Sequence, residues 1–568
     1  MYPTGVFNIY DDLSAPPDPT GVTDSSAAFY YAINEAAMAG GGIVFVPPGN
    51  YMTAFTIGLP SNVQLVGSDQ GDTSIMAGNS LRWAEGRGIT TVLVTNANNI
   101  PGATSSGAQC NVGVRDITLN GNATNQPGLK VGHSGAIVEF ELCTRVTIQR
   151  CRIYNCQNHA IAVDYYDNEV STLVNGDIRI LDNTIDIMAT ARDNDGAATG
   201  SLSIRVTGYY NVIVRNNVIG YNPVGTWKAL WANDGIDVLH CDDIQVIGNQ
   251  ITYVTDGIGV DSGFTCVIAD NIVENYQGYG IRSEVVQLGS SAITRLVIAN
   301  NVVTAALAGS KFTSKACIVA AAGLPFDGSS GSPTSNHYAV TKNVVKGPTS
   351  QGIISCGASN GTCIGNSVDL NTTDEGTYGQ QFGIYVKGRY VSVRGNEVFD
   401  SSSAASTGVG IELISDTANS ILPSQTAIGI VVDSNTVTEM LVGIWLHTNL
   451  QDVSVTDNNV VGNVTAIELP TTHTIADLRV AGNLGHNPPS PSVIAQPTIM
   501  ATPQTNVFSY DCSVSVAGSA LTSITLDSVS LPWPPTGVTV TGPITVDVPV
   551  NAKIKVTGTG ATWYWTPQ

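Results

Sequence analysis

One short phrase repeats along the chain, as Val212-Ile213-Val214-Arg215-Asn216-Asn217-Val218-Ile219 and again as Ile244-Gln245-Val246-Ile247-Gly248-Asn249-Gln250-Ile251. The shared pattern is apolar-x-apolar-x-x-Asn-x-apolar, and it recurs around Asn183, Asn271, Asn301, Asn343, Asn366, Asn396, Asn435, Asn458 and Asn483. Asn183 and Asn483 are separated by ten intervals over 300 residues, the shortest of which are 22 to 25 residues. Self-similarity of this kind indicates a repeat architecture.

A second phrase, Gly-Ile-x-apolar, alternates with the first. It occurs at Gly235-Ile236-Asp237-Val238, Gly257-Ile258-Gly259-Val260, Gly383-Ile384-Tyr385-Val386, Gly410-Ile411-Glu412-Leu413 and Gly443-Ile444-Trp445-Leu446. Each repeat therefore holds at least two short strands, and three are favoured. Strands that return after about 22 residues favour a parallel β-helix over a propeller, whose blades need four strands in about 40 to 50 residues. The longer intervals are read as insertions.

The recurrent Asn is predicted to be structural. Asn tolerates the left-handed backbone conformation of a corner, and stacked amides can form hydrogen bonds along the solenoid axis. Inward Ile and Val side chains should stack at about 4.8 Å per coil into one apolar column.

Composition excludes several classes of protein. The 568 residues carry a net charge of −21, 43% are hydrophobic and the mean hydropathy is +0.12, which excludes a disordered chain and a nucleic-acid binder. Neither an apolar run of 18 residues nor an export signal is visible, so no membrane insertion is expected. The ten Cys are scattered without CxxC pairs, which predicts buried thiols and folding in a reducing cytoplasm.

The N-terminal region is predicted to cap the solenoid. Asp24 is a candidate N-cap for a helix over 25–39 that Gly40-Gly41-Gly42 stops, and Ile43-Val44-Phe45-Val46 reads as a strand. With Gly21-Val22-Thr23-Asp24 and Val46-Pro47-Pro48-Gly49-Asn50-Tyr51, this opening resembles the pectate-lyase-like superfamily. The resemblance extends, with the repeats, from residue 5 to about 487, and it implies a right-handed parallel β-helix. That fold hosts hydrolases, lyases, epimerases and adhesins.

The Pro-rich segment Asn487-Pro488-Pro489-Ser490-Pro491 marks a break, after which the Asn phrase disappears. Alternating segments beyond residue 498 predict a small C-terminal β-sandwich. Its ending, Ala561-Thr562-Trp563-Tyr564-Trp565, makes this unit resemble the terminal module of bacteriophage tailspikes, which implies a trimer. The predicted domains are 1–60 (N-terminal cap), 61–487 (catalytic and receptor-binding β-helix) and 488–568 (linker and trimerisation sandwich).

Carboxylates concentrate in two consecutive repeats. Aligning Gly235 with Gly257 places Asp234 beside Asp256, 22 residues further on. Two carboxylates this close repel each other, so one can hold a proton while the other stays ionised, as glycosidic hydrolysis requires. The candidate catalytic residues are Asp234, Asp256, Asp237, Asp261 and Glu284. The alternatives are that these Asp residues only form turns, or that they bind calcium.

The same residues resemble the polygalacturonase pattern, in which an Asn-Thr-Asp-Gly turn is followed by Asp-Asp, His-Gly and Arg-Ile-Lys. The resemblance implies that Asp234 and Asp256 match two of its catalytic Asp. Thr255 replaces a carboxylate of that pattern, Tyr279-Gly280 stands in place of His-Gly, and Arg282 only loosely matches the basic residues. These departures point away from polygalacturonic acid as the substrate. The candidate substrate-binding residues are Trp227, Trp231, Arg282, Tyr279 and His240.

Another group, Lys387, Arg389, Arg394 and Glu412, is a candidate for binding an anionic sugar or for a solvated face. Neither a metal site nor a cofactor motif is visible, and none is expected.

Together the two resemblances and the Asp cluster predict a glycoside hydrolase: a trimeric phage tailspike that binds and hydrolyses a bacterial surface polysaccharide, either O-antigen or capsule. Its expected location is the virion tail or baseplate, after synthesis in the host cytoplasm. The alternatives are a polysaccharide lyase with Arg282, Arg205 or Lys387 as the basic residue, a non-catalytic adhesin, and a secreted bacterial pectinase.

Overall fold

The computed structural model describes most of the solenoid and the strands of the C-terminal unit. The described residues are 5–12, 14–82, 92–96, 109–122, 125–126, 136–156, 159–165, 174–187, 201–221, 233–261, 265–276, 278–284, 295–305, 316–322, 337–347, 351–357, 360–371, 381–402, 407–414, 427–447, 450–469, 476–486, 504–505, 512–517, 520–526, 529–530, 544–548, 553–559 and 562–567.

The solenoid is a right-handed parallel β-helix, as the repeats and the resemblance predicted. One sheet comprises 14 strands within the described residues. They are Ile57–Leu59, Val94–Asn96, Ala136–Glu141, His159–Asp164, Ser201–Thr207, Asn233–Leu239, Ile258–Asp261, Tyr279–Glu284, Ala316–Ala322, Gln351–Gly357, Phe382–Gly388, Val409–Leu413, Val442–Leu446 and Thr465–Glu468. We call the outward surface of this sheet the groove face.

The other strands of the coils form a continuous sheet of 29 strands within the same described residues. They are Val6–Asn8, Thr20–Asp24, Gly42–Val46, Gly49–Phe55, Val63–Gly67, Thr73–Arg82, Gln109–Asn120, Cys143–Tyr154, Val174–Leu181, Thr184–Ile187, Tyr209–Arg215, Val218–Tyr221, Asp242–Ile247, Gln250–Thr252, Thr265–Ala269, Ile272–Tyr276, Arg295–Ala299, Val302–Ala305, Tyr338–Thr341, Val344–Lys346, Gly361–Ile364, Ser367–Asp369, Ser392–Arg394, Glu397–Phe399, Ala427–Ile428, Val431–Asp433, Thr436–Thr438, Leu450–Thr456 and Ala476–Ala481.

A typical coil has three strands, for example Tyr209–Arg215, Val218–Tyr221 and Asn233–Leu239. Each pairs in parallel with its counterpart one coil away, so that Val214 lies opposite Val246. Both side chains point inward and are fully buried, and such pairs form the predicted apolar column.

The recurrent Asn residues form a buried amide ladder at one corner. Asn249 is typical: its Nδ2 donates to Asn271 Oδ1 at 2.9 Å, and Asn271 Nδ2 donates to Asn301 Oδ1 at 3.0 Å. The predicted structural role is confirmed. The left-handed residue, however, is the one before each ladder Asn, such as Asn216 (φ 56°) or Lys342 (φ 54°). The ladder Asn itself points inward, where its amide replaces strand hydrogen bonds that the corner interrupts.

A helix, Ser26–Met38, lies at the N-terminal end, within one residue of the prediction at each end. The N-cap residue is Ser25 and not the predicted Asp24; the Asp24 carboxylate accepts the backbone N–H of Ser26 at 2.9 Å. Phe29 and Ile33 on its buried face join the solenoid core. That this helix acts as a cap stays a prediction.

The described cysteines are free and buried, as predicted: Cys143, Cys151, Cys156, Cys241, Cys266, Cys317 and Cys363. The side chains of Cys110, Cys356 and Cys512 lie outside the described part of the chain. Among the described residues, no helix combines the length and apolarity needed to cross a bilayer.

The C-terminal unit is antiparallel. One sheet joins Gln504–Thr505, Ala520–Leu526, Val529–Ser530 and Lys553–Thr559, and another joins Cys512–Ala517, Ile544–Val548 and Thr562–Pro567. The change from parallel to antiparallel pairing agrees with the loss of the Asn phrase after the Pro-rich segment. A sandwich of these two sheets stays a prediction.

Candidate functional site

Short polar turns bring Asp234 and Asp256 together at the edge of the groove face. Ile236 pairs with Ile258, so the two Asp-Gly turns lie in register one coil apart, as the glycine alignment predicted. A Cβ at Gly257 would collide with the carbonyl oxygen of Gly280 on the next coil. Glycine is therefore needed at this position for close packing of consecutive coils, and the residue before it is held at the start of the strand.

The two carboxyl groups share one hydrogen-bond network. The backbone N–H of Asp256 donates to Asp234 Oδ1 at 3.2 Å. Asp256 Oδ1 in turn accepts the backbone N–H of Tyr279 at 2.8 Å, and its Oδ2 lies 3.9 Å from Nη1 of Arg282. The Arg282 guanidinium also stacks over the Tyr279 ring, 5.5 Å from its centroid.

Burial first, and then the negative charge of Asp256, raise the pKa of Asp234 to about 7 against the opposing effects of the Asp256 N–H and Arg282. Asp234 can therefore carry a proton close to neutral pH while Asp256 lies beside a cation. A protonated carboxyl next to a second, cation-paired carboxyl is the arrangement that acid and base catalysis at a glycosidic bond uses.

Asp237 faces outward three residues further along the same strand. A Cβ at Gly259 would lie 2.9 Å from Asp237 Oδ1 and 3.9 Å from Nη2 of Arg282. Gly259 therefore lies between these two side chains on the groove face, and the three residues are in register on consecutive coils.

The structure places His240 away from Asp234 and Asp256, and the side chains of the remaining predicted site residues lie outside the described part of the chain. His240 follows the C-terminal end of the strand Asn233–Leu239 in a left-handed conformation, φ 50°, about 20 Å from Asp234 along the strand. Asp261 and Glu284 pair in backbone register, but their side chains lie outside the described part of the chain. Trp227 and Trp231 also lie outside the described residues.

The structure adds an acidic group that the sequence analysis missed, on strands two and three coils before Asp234. Asp164 Oδ1 lies 3.4 Å from Nε of Arg205, which pairs in register with Asp237. Burial raises the pKa of Asp164, while Arg205 lowers it. Burial and the charge of Asp164 raise the pKa of Glu141. Glu139 and Glu141 stand at alternate positions of an otherwise apolar strand, and that pattern was the available sequence signal.

Among the described residues, no group of His, Cys, Asp and Glu has the arrangement needed to hold a metal ion. The candidate anionic-sugar group is divided between the two sheets. Arg394 lies on the 29-stranded sheet, where its Nε is 3.8 Å from Asp433 Oδ2, whereas Lys387 and Glu412 lie on neighbouring strands of the groove face.

Comparison with known families gives a match for the N-terminal half of the chain. Residues 6–282 match the family described as rhamnogalacturonase A/epimerase, pectate lyase-like. This range contains the whole Asp234, Asp256 and Arg282 arrangement. Residues 6–282 are thus similar to a pectate-lyase-like family, as the sequence resemblance implied, and they lie on the parallel β-helix described above.

Several solved structures are similar to this chain. A mutant tailspike protein of the Escherichia coli bacteriophage HK620, in complex with pentasaccharide, is 12% identical with a TM-score of 0.51, over 99% of this chain and 92% of that one. An N-terminal fragment of bacteriophage phi29 gene product 12 is 15% identical, with a TM-score of 0.47 over 85% and 71% of the two chains. The Azotobacter vinelandii mannuronan C-5 epimerase AlgE6 A-module is 17% identical, with a TM-score of 0.34 over 85% and 100%. No curated protein sequence matches the chain.

Proposed function

We propose that this protein is a phage tailspike that binds a bacterial surface polysaccharide, an O-antigen or a capsule, and hydrolyses it. The observation that carries the proposal is the pairing of Asp234, whose pKa is raised to about 7, with Asp256 at the edge of a long outward face. The similarity to the HK620 tailspike over nearly the whole of both chains supports the phage assignment.

In the proposed reaction, protonated Asp234 donates its proton to the leaving glycosidic oxygen. Asp256 acts as the second carboxylate, either as base for a water molecule or as nucleophile. Arg282 positions the Asp256 carboxylate, and Asp237 and Tyr279 line the sugar-binding surface beside it. Asp261, Glu284, Trp227 and Trp231 remain candidate contributors, and His240 is a candidate contact further along the face.

Hydrolysis is favoured over β-elimination by the charges at the site. A lyase needs a base that removes a proton beside a neutralised uronate carboxylate. Arg282 lies near Asp256, and Arg205 lies near Asp164. Arginine side chains keep their positive charge in proteins. Neither arginine is therefore suited to act as the base, and Lys387, the third candidate, lies on the strand Phe382–Gly388, four coils from Asp256.

The proposed assembly is a homotrimer on the phage tail or baseplate, with residues 1–60 as cap, 61–487 as the catalytic and receptor-binding solenoid, and 488–568 as the linker and trimerisation unit. Three solenoids side by side would cover lateral apolar residues such as Val344, which is 49% exposed in one chain.

The test is incubation of the protein with purified lipopolysaccharides and capsular polysaccharides from a panel of bacteria. Products whose masses include one added water per cleavage support hydrolysis. Products without added water, with ultraviolet absorbance from a new double bond, would show a lyase. Binding without any product would show a non-catalytic adhesin and refute the catalytic role of Asp234.

A further inference from the structure

A second polar group lies on the groove face, on the strands Phe382–Gly388, Val409–Leu413 and Val442–Leu446. Glu412 on the middle strand pairs in register with Tyr385 on one side and Trp445 on the other. The inward neighbours Ile411 and Leu413 are fully buried, so the alternation of the strand directs Glu412 outward, between two aromatic side chains.

The Glu412 carboxylate is held by one contact and leaves one oxygen unused. Its Oε1 lies 2.6 Å from Nε2 of His447, whose ring packs on Trp445 with centroids 4.2 Å apart. Only 3% of Glu412 is exposed, yet its Oε2 has no hydrogen-bond partner among the residues that the structure describes. A buried carboxylate oxygen without a partner costs free energy, and such groups are uncommon unless a ligand or a catalytic role accounts for them.

We propose that Glu412, Trp445 and His447 form a second sugar-binding subsite, specific for a neutral sugar unit of the bound polysaccharide. Trp445 presents a flat apolar surface on which the face of a pyranose ring can stack, with Tyr385 two coils away as a second platform. Because Glu412 Oε2 is buried, the side chains over it must turn aside before it accepts a hydrogen bond from a sugar hydroxyl, while His447 fixes the orientation of the carboxylate. A uronate unit would be repelled by Glu412.

This inference rests on the proposed polysaccharide-binding function and extends it along the groove face. Five coils separate Asp256 from Glu412 in the order of the 14-stranded sheet. At about 4.8 Å per coil, the two sites lie about 24 Å apart along the axis. One coil spacing is close to the length of one sugar unit in an extended chain, so five spacings separate the first unit from the sixth. A fragment of about six units is therefore the shortest that could contact both sites.

The test measures binding of graded oligosaccharides, prepared from a surface polysaccharide that the protein binds, to an Asp256→Asn background that limits turnover. Trp445→Ala and Glu412→Gln should each weaken binding of long fragments by at least about 10-fold. Neither substitution should change the affinity for fragments that bind at Asp256 but are too short to reach Glu412. Trp445→Phe should retain much of the affinity, because it keeps a stacking surface.

Matched controls separate this role from a structural one. Tyr390→Ala removes an aromatic ring that is 59% exposed, and Glu397→Gln neutralises an exposed Glu on the 29-stranded sheet. Neither should change affinity. Equal thermal unfolding of Trp445→Ala, Trp445→Phe and the parent variant would exclude a folding defect as the cause. Unchanged binding of long fragments by Trp445→Ala and Glu412→Gln, or an equal loss for short and long fragments, would overturn the subsite while leaving the proposed function intact.

If no polysaccharide in the panel binds, the proposed function fails and the subsite is judged separately. The probes are then galactose, glucose, rhamnose, N-acetylglucosamine and galacturonate, measured by saturation-transfer NMR. The subsite is supported if wild type transfers saturation to a neutral sugar more strongly than to galacturonate and if Trp445→Ala abolishes the transfer to the neutral sugar. Equal transfer in both proteins, or none to any neutral sugar, overturns it.

Discussion

Replacing Asp234 by Asn should change how the stability of the protein depends on pH. The native Asp234 has a pKa of about 7 against an ordinary value of 3.8, because it is buried and lies beside Asp256. Between these two values the unfolded chain releases this proton while the folded protein still holds it. Ionisation therefore favours unfolding, and the contribution of this group to stability falls as the pH rises from about 4 to about 7.

The size of the effect follows from the shift. Three pH units at 1.36 kcal/mol each give an upper bound of about 4 kcal/mol. Asp234 keeps partial contact with water, which screens its charge, so about 2 kcal/mol is expected. The Asn variant has no proton to lose. Relative to wild type, its free energy of unfolding should therefore increase by about that amount between pH 4 and pH 8.

The assay is denaturant unfolding followed by tryptophan fluorescence at both pH values, with the difference between variant and wild type taken at each. Groups whose pKa the substitution leaves unchanged contribute equally to the stability of both proteins, so their contribution cancels in this comparison. Asp243→Asn is the matched control, because Asp243 is exposed and its left-handed backbone suits Asn. A variant that gains no stability relative to wild type on going to pH 8 would refute the coupled burial of Asp234 and Asp256.

The other predictions concern catalysis, the ladder, the acidic group and the assembly. Asp256→Asn should reduce turnover on the correct polysaccharide by at least about 100-fold without loss of binding, and near-normal product release would refute its role. Asn271→Ala removes four side-chain hydrogen bonds and should lower the free energy of unfolding by about 4 kcal/mol, as measured by denaturant titration; a loss below about 1 kcal/mol would contradict the ladder. Arg205→Met leaves Asp164 buried without its cation and should cost about 3 kcal/mol in the same assay; unchanged stability would show that the pair is not coupled. Light scattering should give the mass of three chains, and a monomer mass would refute the trimer.

The repeat made most of the solenoid predictable from the sequence. A phrase that returns with the same apolar spacing can bury its side chains only by stacking one coil on the next. The pairing of Val214 with Val246 could therefore be predicted from the pattern. The position of Asp234 beside Asp256 followed for the same reason, because Gly235 and Gly257 fix the register.

Contacts between outward side chains were less predictable. Glu412 and His447 are 35 residues apart, and Asp164 meets Arg205 across an interval that includes an insertion. Such pairs depend on how each inserted loop returns the chain to its coil, which the phrase does not encode. The pKa of Asp234 likewise depends on Asp256 and Arg282, which lie on the following coils, as well as on burial. The left-handed corner residue varies among Asn, Gly, Asp, Lys and Ser, so the invariant Asn was the wrong residue to assign to that conformation.

The amide ladder also bears on how proteins of this design can diversify. Consecutive ladder Asn residues are separated by as few as 22 residues, between Asn249 and Asn271, and by as many as 42, between Asn301 and Asn343. The amide hydrogen bond is 2.9 Å in both cases. Segments of very different length thus leave and rejoin the same scaffold at fixed points. Under the proposed function, inserted segments could be lengthened, shortened or exchanged to recognise a different polysaccharide, while the ladder and the core of the coils stay the same.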